Sequence, residues 1–146
     1  MKRSRLPIVV SLLALLAVPS PTGAREELAG PIPAEIVAVI DGDTVKLRAH
    51  IWLGQEVEIS VRLAGINAPE LRGDCDAERQ LAQQARDYLV TLLAGGAVSL
   101  RDIAYDKYGG RVVAQVTDSA GHDLGAVLVT AGYARPYDGG KRAAWC

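Results

Sequence analysis

The sequence contains no phenylalanine and few other aromatic side chains, with five tyrosines and two tryptophans among its 146 residues. Binding of single-stranded nucleic acid by base stacking depends on aromatic side chains, so this scarcity disfavours a pure stacking module. An excess of basic residues is also missing, because 16 Lys and Arg face 17 Asp and Glu. Any nucleic acid would therefore have to be attracted by a local basic cluster and not by the global charge.

A long hydrophobic run is absent as well. The uncharged apolar stretch from Leu6 to Val18 holds 13 residues, whereas a membrane-spanning helix needs about 20. It follows basic residues at positions 2, 3 and 5 and precedes a segment of turn formers and small residues. This order predicts a secretory signal peptide over residues 1–24, with an uncleaved membrane anchor as the alternative.

The chain that remains after removal of residues 1–24 is long enough for one core. It has 122 residues, and the signal takes three basic residues and no acidic ones, which changes the net charge from −1 to −4. This length predicts one domain. The segment 25–33, which holds charges, glycine and two prolines, reads as a linker, and residues 34–146 read as the folded domain. We expect a monomer.

Only two cysteines are present, Cys75 and the last residue, Cys146. An even number of cysteines in an exported protein predicts one disulfide, with two unrelated free thiols as the alternative. Such a bond would hold the C-terminal segment, which shows no periodicity and no other obvious anchor.

Hydrophobic periodicity predicts a mainly β, α+β domain. Five segments are typical of strands, at residues 35–40, 44–51, 56–63, 97–103 and 111–116. A longer helix is expected up to residue 92, capped at its start by Asp74 or Asp76, and a short helix over residues 123–131. Three strands, a helix and two further strands fit a five-stranded OB-fold barrel, which leaves no long open edge.

Several polar residues are not required by the strand pattern. They lie where loops can meet at one end of a barrel: Asp41, Asp43, Arg62, Asn67, Glu70, Lys107, Tyr108 and Arg111. Carboxylate and carbonyl oxygens suit a hard divalent cation. A free carboxylate can act as a general base, and paired guanidiniums can neutralise a phosphoryl group. Each residue alone has a simpler interpretation as a turn or a solvated side chain, and only their joint order is informative.

That joint order resembles the staphylococcal nuclease-like, or thermonuclease, family. The resemblance is carried by three short stretches, residues 40–45 (IDGDTV), 61–70 (VRLAGINAPE) and 106–111 (DKYGGR). A later stretch, residues 128–134, is similar to a helix of the family and its closing glycine. The similarity covers about residues 35–137 and implies an OB-fold barrel that cleaves DNA and RNA with Ca²⁺.

The resemblance also implies a metal site. Asp43 corresponds to a metal ligand, and Asp41 to a nearby acidic residue of that site. Asn67 stands where the family usually has a second aspartate ligand, and Ala68 would offer its backbone carbonyl. The amide keeps an oxygen but removes one negative charge, so weaker metal binding is expected.

The remaining correspondences concern the phosphate. Glu70 matches the proposed general base, and Arg62 and Arg111 match the two phosphate-binding arginines. Tyr108 matches a tyrosine beside the terminal phosphate, with Lys107 next to it. Tyr137 approximates an aromatic residue that flanks the base.

Two further departures from the family affect these expectations. Gly110 adds one residue before Arg111, which puts the placement of that arginine in question. The long last helix of the family is missing. A non-catalytic OB-fold module that binds nucleic acid or another anionic polymer is the alternative function. A third hypothesis is an envelope structural protein whose acidic loops bind Ca²⁺.

Overall fold

The structure is a computed structural model that describes residues 26–146. The predicted signal peptide, residues 1–24, lies outside the described residues. Eight strands and two helices follow one another along the chain: β1 Glu27–Leu28, β2 Ile32–Val39, β3 Thr44–Trp52, β4 Gln55–Leu63, β5 Ile66–Asn67, α1 Asp76–Leu92, β6 Ala97–Tyr105, β7 Arg111–Asp118, α2 Leu124–Thr130 and β8 Arg135–Pro136.

Five of these strands close into a barrel. The sheet order is β1-β6-β2-β3-β4-β7, and β6 also pairs with β7, which joins the two ends. The pairing of β4 with β7 is parallel, and the other pairings of the barrel are antiparallel. The predicted OB-fold barrel with one longer and one short helix is therefore confirmed.

The alternating residues of β3 and β4 build the barrel interior. Val45 and Leu47 of β3 and Val61 and Leu63 of β4 are completely or almost completely buried. They belong to one buried cluster with Leu89 of α1 and with Leu124 and Leu128 of α2. The alternation fails at the far end of the hairpin, where Ile51 is half exposed, because the barrel no longer covers that end.

The prediction that residues 25–33 form a linker is partly wrong, because four of these nine residues belong to the sheet. Glu27 and Leu28 pair with Ala104 and Ile103 of β6. Two further residues of the segment, at positions 32–33, begin β2 and pair with β6. Glycine and proline suggested a break in structure, but proline is tolerated near the start of a strand, and β6 offers backbone groups that these residues satisfy.

The start of α1 also differs from the prediction. Cys75, and not Asp74 or Asp76, is the N-cap residue, and its side chain makes no capping hydrogen bond. The buried carboxylate of Glu78 takes over part of that task by accepting hydrogen bonds from the backbone N–H groups of Glu70 and Asp74, both at 3.1 Å. Glu78 thereby fixes the loop that leads from β5 into the helix.

The C-terminal segment is more ordered than its composition indicates. β8 pairs with β5 in a two-stranded sheet, and the Tyr137 N–H donates to the Gly65 carbonyl at 2.9 Å. No helix formed by residues 26–146 has the length and apolar character needed to cross a membrane.

Candidate active site

Asp43 and Arg62 form the floor of the site, where β3 begins and β4 ends. The Arg62 guanidinium donates to the Asp43 carboxylate at 3.2 Å and to the Ile66 carbonyl at 3.0 Å. The Ala68 N–H donates to the same carboxylate oxygen of Asp43 at 3.0 Å. Arg62 points away from the barrel interior, as the alternation predicts, yet it is 8% exposed because the loop after β4 covers it.

The Asp-Gly-Asp turn is more than a chain reversal. The Asp43 N–H donates to the Asp41 carboxylate at 3.0 Å, which brings the two acidic groups together. Burial, and next the negative charge of Asp43, raise the pKa of Asp41 above its ordinary value. A Cβ on Gly42 would lie 2.8 Å from the Cβ of Ala85 and 2.9 Å from that of Ala68. Only glycine therefore lets this turn pack against α1.

Arg111, the second predicted phosphate-binding arginine, is held at the start of β7. Its Nε and Nη2 both lie 2.5 Å from one oxygen of Asp106. The additional residue Gly110 is accommodated in an exposed turn with a φ of 77°, a conformation that glycine adopts without strain. Arg111 directly follows this turn as the first residue of β7, where it pairs with Ser60 of β4.

A cleft of about 520 Å³ brings most of the predicted site together. We call it the acidic cleft, after the carboxylates of Asp41, Asp43 and Glu70 that line it beside the arginines. Its predicted members are Asp41, Asp43, Arg62, Ala68, Glu70, Tyr108 and Arg111, and its other lining residues are Thr44, Pro69, Leu71, Arg72 and Arg142. The four arginines outnumber the three carboxylates, so this cleft is locally cationic in a chain of net negative charge.

A second cleft, of about 490 Å³, contains the other predicted nucleic-acid-binding residues. We call it the tyrosine cleft, because Tyr105, Tyr108 and Tyr137 line it together with Lys107. The Lys107 ammonium lies 5.1 Å from the ring centroid of Tyr108. This arrangement offers flat aromatic surfaces beside positive charge, which suits unstacked bases next to a phosphate backbone.

Asn67 is the one predicted metal-site residue that does not line the acidic cleft. It lies in β5, is 6% exposed, and lines two neighbouring grooves instead. Its Oδ1 is buried and has no hydrogen-bond partner among residues 26–146. An unpartnered buried amide oxygen is costly unless a ligand satisfies it. The role of Asn67 as a ligand stays a prediction.

The residues at the site suit a hard cation. Asp41 and Asp43 place two carboxylates close together, and burial, followed by the negative charge of Asp43, raises the pKa of Asp41. A divalent cation with oxygen preference would relieve that repulsion. The orphaned oxygen of Asn67 would add a neutral oxygen donor near this end of the barrel.

Glu70, the predicted general base, lies at the exposed rim of the acidic cleft. Its carboxylate accepts a hydrogen bond of 2.7 Å from the guanidinium of Arg142, which is 72 residues away in sequence. No motif in the sequence indicates a place for Arg142 at the site, and none indicates that Asp106 and Glu78 position it. The only signal for Arg142 was its proximity in sequence to Cys146.

The disulfide between Cys75 and Cys146 joins the end of the chain to the start of α1. Two further contacts fix the same segment. Arg135 donates to the Ala144 carbonyl at 3.0 Å and stacks its guanidinium 3.8 Å from the ring centroid of Trp145. The C-terminal segment is therefore attached to the body of the protein on both sides of Arg142.

The fold and the site together define an OB-fold barrel protein with a cationic, carboxylate-containing cleft at one end. Residues 60–143 match the family described as Staphylococcal nuclease homologue. The chain is also 34% identical over 128 residues to a Bacillus subtilis (strain 168) protein named endonuclease YhcR, a match that covers 82% of this chain and 10% of that relative. The chain thus spans about a tenth of the relative's length. Because the family match covers more than half of the chain, the protein belongs to the staphylococcal nuclease homologue family.

Proposed function

We propose that this protein is an exported, Ca²⁺-dependent nuclease that hydrolyses phosphodiester bonds of DNA or RNA. The observation that carries the proposal is the acidic cleft, which Arg62 and Arg111 line together with Glu70 and a pair of aspartates. A cleft that binds only an anionic polymer has no need for a carboxylate at its rim. Membership in the family and the similarity to a protein named endonuclease support the same activity.

The metal is proposed to bind at the acidic end of the cleft. Asp43, Asp41, the Ala68 carbonyl and the Asn67 amide oxygen are the groups that would hold it. A bound Ca²⁺ would supply positive charge to the phosphate and so favour attack on phosphorus.

The residues of the chain itself account for the rest of the reaction. Glu70 accepts a proton from the attacking water, since its carboxylate is accessible in the cleft. Arg62 and Arg111 donate hydrogen bonds to the phosphoryl oxygens on which negative charge develops. Each guanidinium is held by an acidic partner, Asp43 for Arg62 and Asp106 for Arg111, so both are oriented before substrate binds. The resemblance leads us to expect departure of the 5′-oxygen and a 3′-phosphate on the other product.

Export is proposed from two features of the chain. The predicted signal peptide would direct the protein out of the cytoplasm, and the Cys75–Cys146 disulfide is typical of oxidising compartments. A secreted or periplasmic location would also provide Ca²⁺ at high concentration. In this location the protein is proposed to act as a monomer.

The proposal is tested by cleavage of single-stranded DNA and RNA by the purified protein with Ca²⁺ and with EGTA. We expect cleavage only with Ca²⁺. Arg62→Ala should lower the rate by about two to three orders of magnitude, the usual cost of removing one donor to a developing charge.

The matched control is Arg86→Ala. Arg86 is on α1, its side chain is partly exposed beside Asp87, and it lines neither the acidic nor the tyrosine cleft. This variant should keep the wild-type rate. If folded wild-type protein binds the oligonucleotide but never cleaves it, the alternative of a non-catalytic binding module replaces the proposal.

A further inference from the structure

Arg142 occupies an unusual position between the two clefts. The residues that line both the acidic cleft and the tyrosine cleft are Arg62, Tyr108, Arg111 and Arg142. Three of the four are arginines, and two of these are the proposed phosphate-binding residues. The guanidinium carbons of Arg62 and Arg142 lie 5.6 Å and 5.8 Å from the ring centroid of Tyr137, so one aromatic ring contacts both.

Arg142 is held in position by contacts of the segments on either side of it. The segment before it is held by the pairing of β8 with β5 and by the hydrogen bond from the Tyr137 hydroxyl to the Gly140 carbonyl at 2.9 Å. The segment after it is held by the disulfide of Cys146 and by the stacking of Trp145 on Arg135. The C-terminal segment, residues 137–146, is thus held on both sides of Arg142 and places its guanidinium at the opening of the proposed active site.

The contact between Arg142 and Glu70 is too weak to block the site. The side chain of Arg142 is 37% exposed and that of Glu70 is 62% exposed. Ion pairs this exposed change an equilibrium constant by a factor of about five at most. A phosphate that accepts two charge-assisted hydrogen bonds from the guanidinium competes readily with such a pair. Arg142 can therefore leave Glu70 when a phosphate arrives, and Glu70 is then free to accept a proton.

We propose that Arg142 is a third phosphate-binding arginine, which binds the phosphate next to the scissile one and makes the enzyme prefer substrates with several phosphodiesters. This inference rests on the proposed function, because it assigns a substrate phosphate to that same site. The scissile phosphate lies with Arg62 and Arg111, and the neighbouring phosphate follows the wall shared by the two clefts. The bases then lie toward Tyr105, Tyr108 and Tyr137.

The first experiment measures binding without turnover. Fluorescence anisotropy of a labelled oligothymidylate is recorded in EGTA with the full-length wild type and with Arg142→Ala, Arg142→Lys and Lys141→Ala. Lys141 is the matched control, since it is the adjacent cation on the same C-terminal segment and lines neither the acidic nor the tyrosine cleft. Thermal denaturation of each variant establishes that it is folded.

We expect Arg142→Ala to raise the Kd about tenfold and to reduce the slope of log K against log salt by about 0.7, the value for one phosphate contact on a single strand. Arg142→Lys should be intermediate, because it keeps the charge and loses the fork geometry. Lys141→Ala should change the Kd less than about threefold. Equal effects of Arg142→Ala and Lys141→Ala, or no binding by the wild type, would overturn the inference.

The second experiment separates a flanking phosphate from the scissile one. With Ca²⁺, Arg142→Ala should raise the KM for an oligonucleotide about tenfold, with little change in kcat, and should not alter the kinetics on a dinucleotide that has a single phosphodiester. An equal loss on both substrates would place Arg142 at the scissile phosphate. A faster Arg142→Ala enzyme would make the Glu70 contact inhibitory. Either result overturns the inference.

The two proposals fail in different ways. If the wild type does not cleave any substrate, the proposed function fails, while the anisotropy data still decide whether Arg142 contacts a phosphate. If the wild type cleaves, and Arg142→Ala matches Lys141→Ala in binding and the wild type in kinetics, the nuclease proposal stands and the role of Arg142 fails.

Discussion

Two arginine–carboxylate pairs lie at the same end of the barrel in very different environments. In the Asp43–Arg62 pair the side chains are 12% and 9% exposed and their closest N–O distance is 3.2 Å. In the Glu70–Arg142 pair the side chains are 62% and 37% exposed and the distance is 2.7 Å. The shorter pair is the weaker one, because solvent screens it and its partners lose side-chain entropy when they meet. Burial, and not distance, decides which pair is structural and which is free to exchange partners.

The buried pair cannot be broken without leaving a charge in the protein interior. Removal of one member of such a pair costs about 3–5 kcal/mol. The exposed pair can be broken at almost no cost in stability. The floor of the site is therefore fixed by the fold, whereas its rim is adjustable, and each of the following changes tests this division.

The largest expected effect on activity comes from Glu70→Gln, which changes the rim. Loss of a general base should lower kcat by about two to four orders of magnitude, while the melting temperature should stay near that of the wild type. Single-turnover cleavage and thermal denaturation measure the two quantities. An unchanged kcat would show that Glu70 is not the base.

Arg62→Ala changes the floor of the site. Unlike Glu70→Gln, it should lower both the catalytic rate and the stability of the protein. Besides the loss of rate, the free energy of unfolding should fall by about 3–5 kcal/mol, because Asp43 becomes a buried, unpaired carboxylate. Urea denaturation at neutral pH measures this change. Arg62→Ala combined with Asp43→Asn should recover part of the lost stability, and no recovery would mean that the two side chains are energetically independent.

Loss of the disulfide should impair the rim of the site, where Arg142 lies, and leave the floor formed by Asp43 and Arg62 functional. The bridge spans 71 residues, for which loop-closure entropy predicts a loss of about 4 kcal/mol on Cys146→Ser. The KM for an oligonucleotide should rise toward that of Arg142→Ala, with kcat nearly maintained. Melting curves and kinetics of the wild type with and without reductant provide the same comparison, and identical results under both conditions would contradict a structural bridge.

Asn67→Asp should have the smallest effect, on metal dependence. A carboxylate at this buried position should lower the Ca²⁺ concentration needed for half-maximal activity by about tenfold or less, because it restores a negative charge. In EGTA the variant should melt at a lower temperature than the wild type, since the new carboxylate is buried without a cation. Ca²⁺ should reverse this loss. Equal destabilisation with and without Ca²⁺ would show that residue 67 is not at the metal site.

The barrel was predictable because its strands follow a period of two. Val45, Leu47, Val61 and Leu63 all face the interior as that alternation requires. The linker prediction was partly wrong because residues 27–28 are recruited by the edge of β6, and no local pattern reports a partner that is more than seventy residues away.

The candidate site was predictable only where it is encoded in short motifs. Asp43, Glu70 and Arg111 line one cleft as the motifs imply. Arg142 was not predictable, because its place depends on a disulfide, a two-stranded sheet and a cation–π contact that act together. Asp106 lies inside a recognised motif, but its task of holding Arg111 becomes visible only in three dimensions.

The parallel pairing of β4 with β7 has a consequence for how this site can change through evolution or design. In that seam Ser60 is opposite Arg111, and Arg62 is opposite Val113. The separation of the two arginines is thus set by strand register, which a slip of one residue would destroy by turning every side chain to the other face. The turn before Arg111, which contains Gly110, is exposed and lies outside this pairing. The register of β4 and β7 therefore keeps the spacing of the two arginines constant. Surface loops can be exchanged for new specificity without changing that spacing.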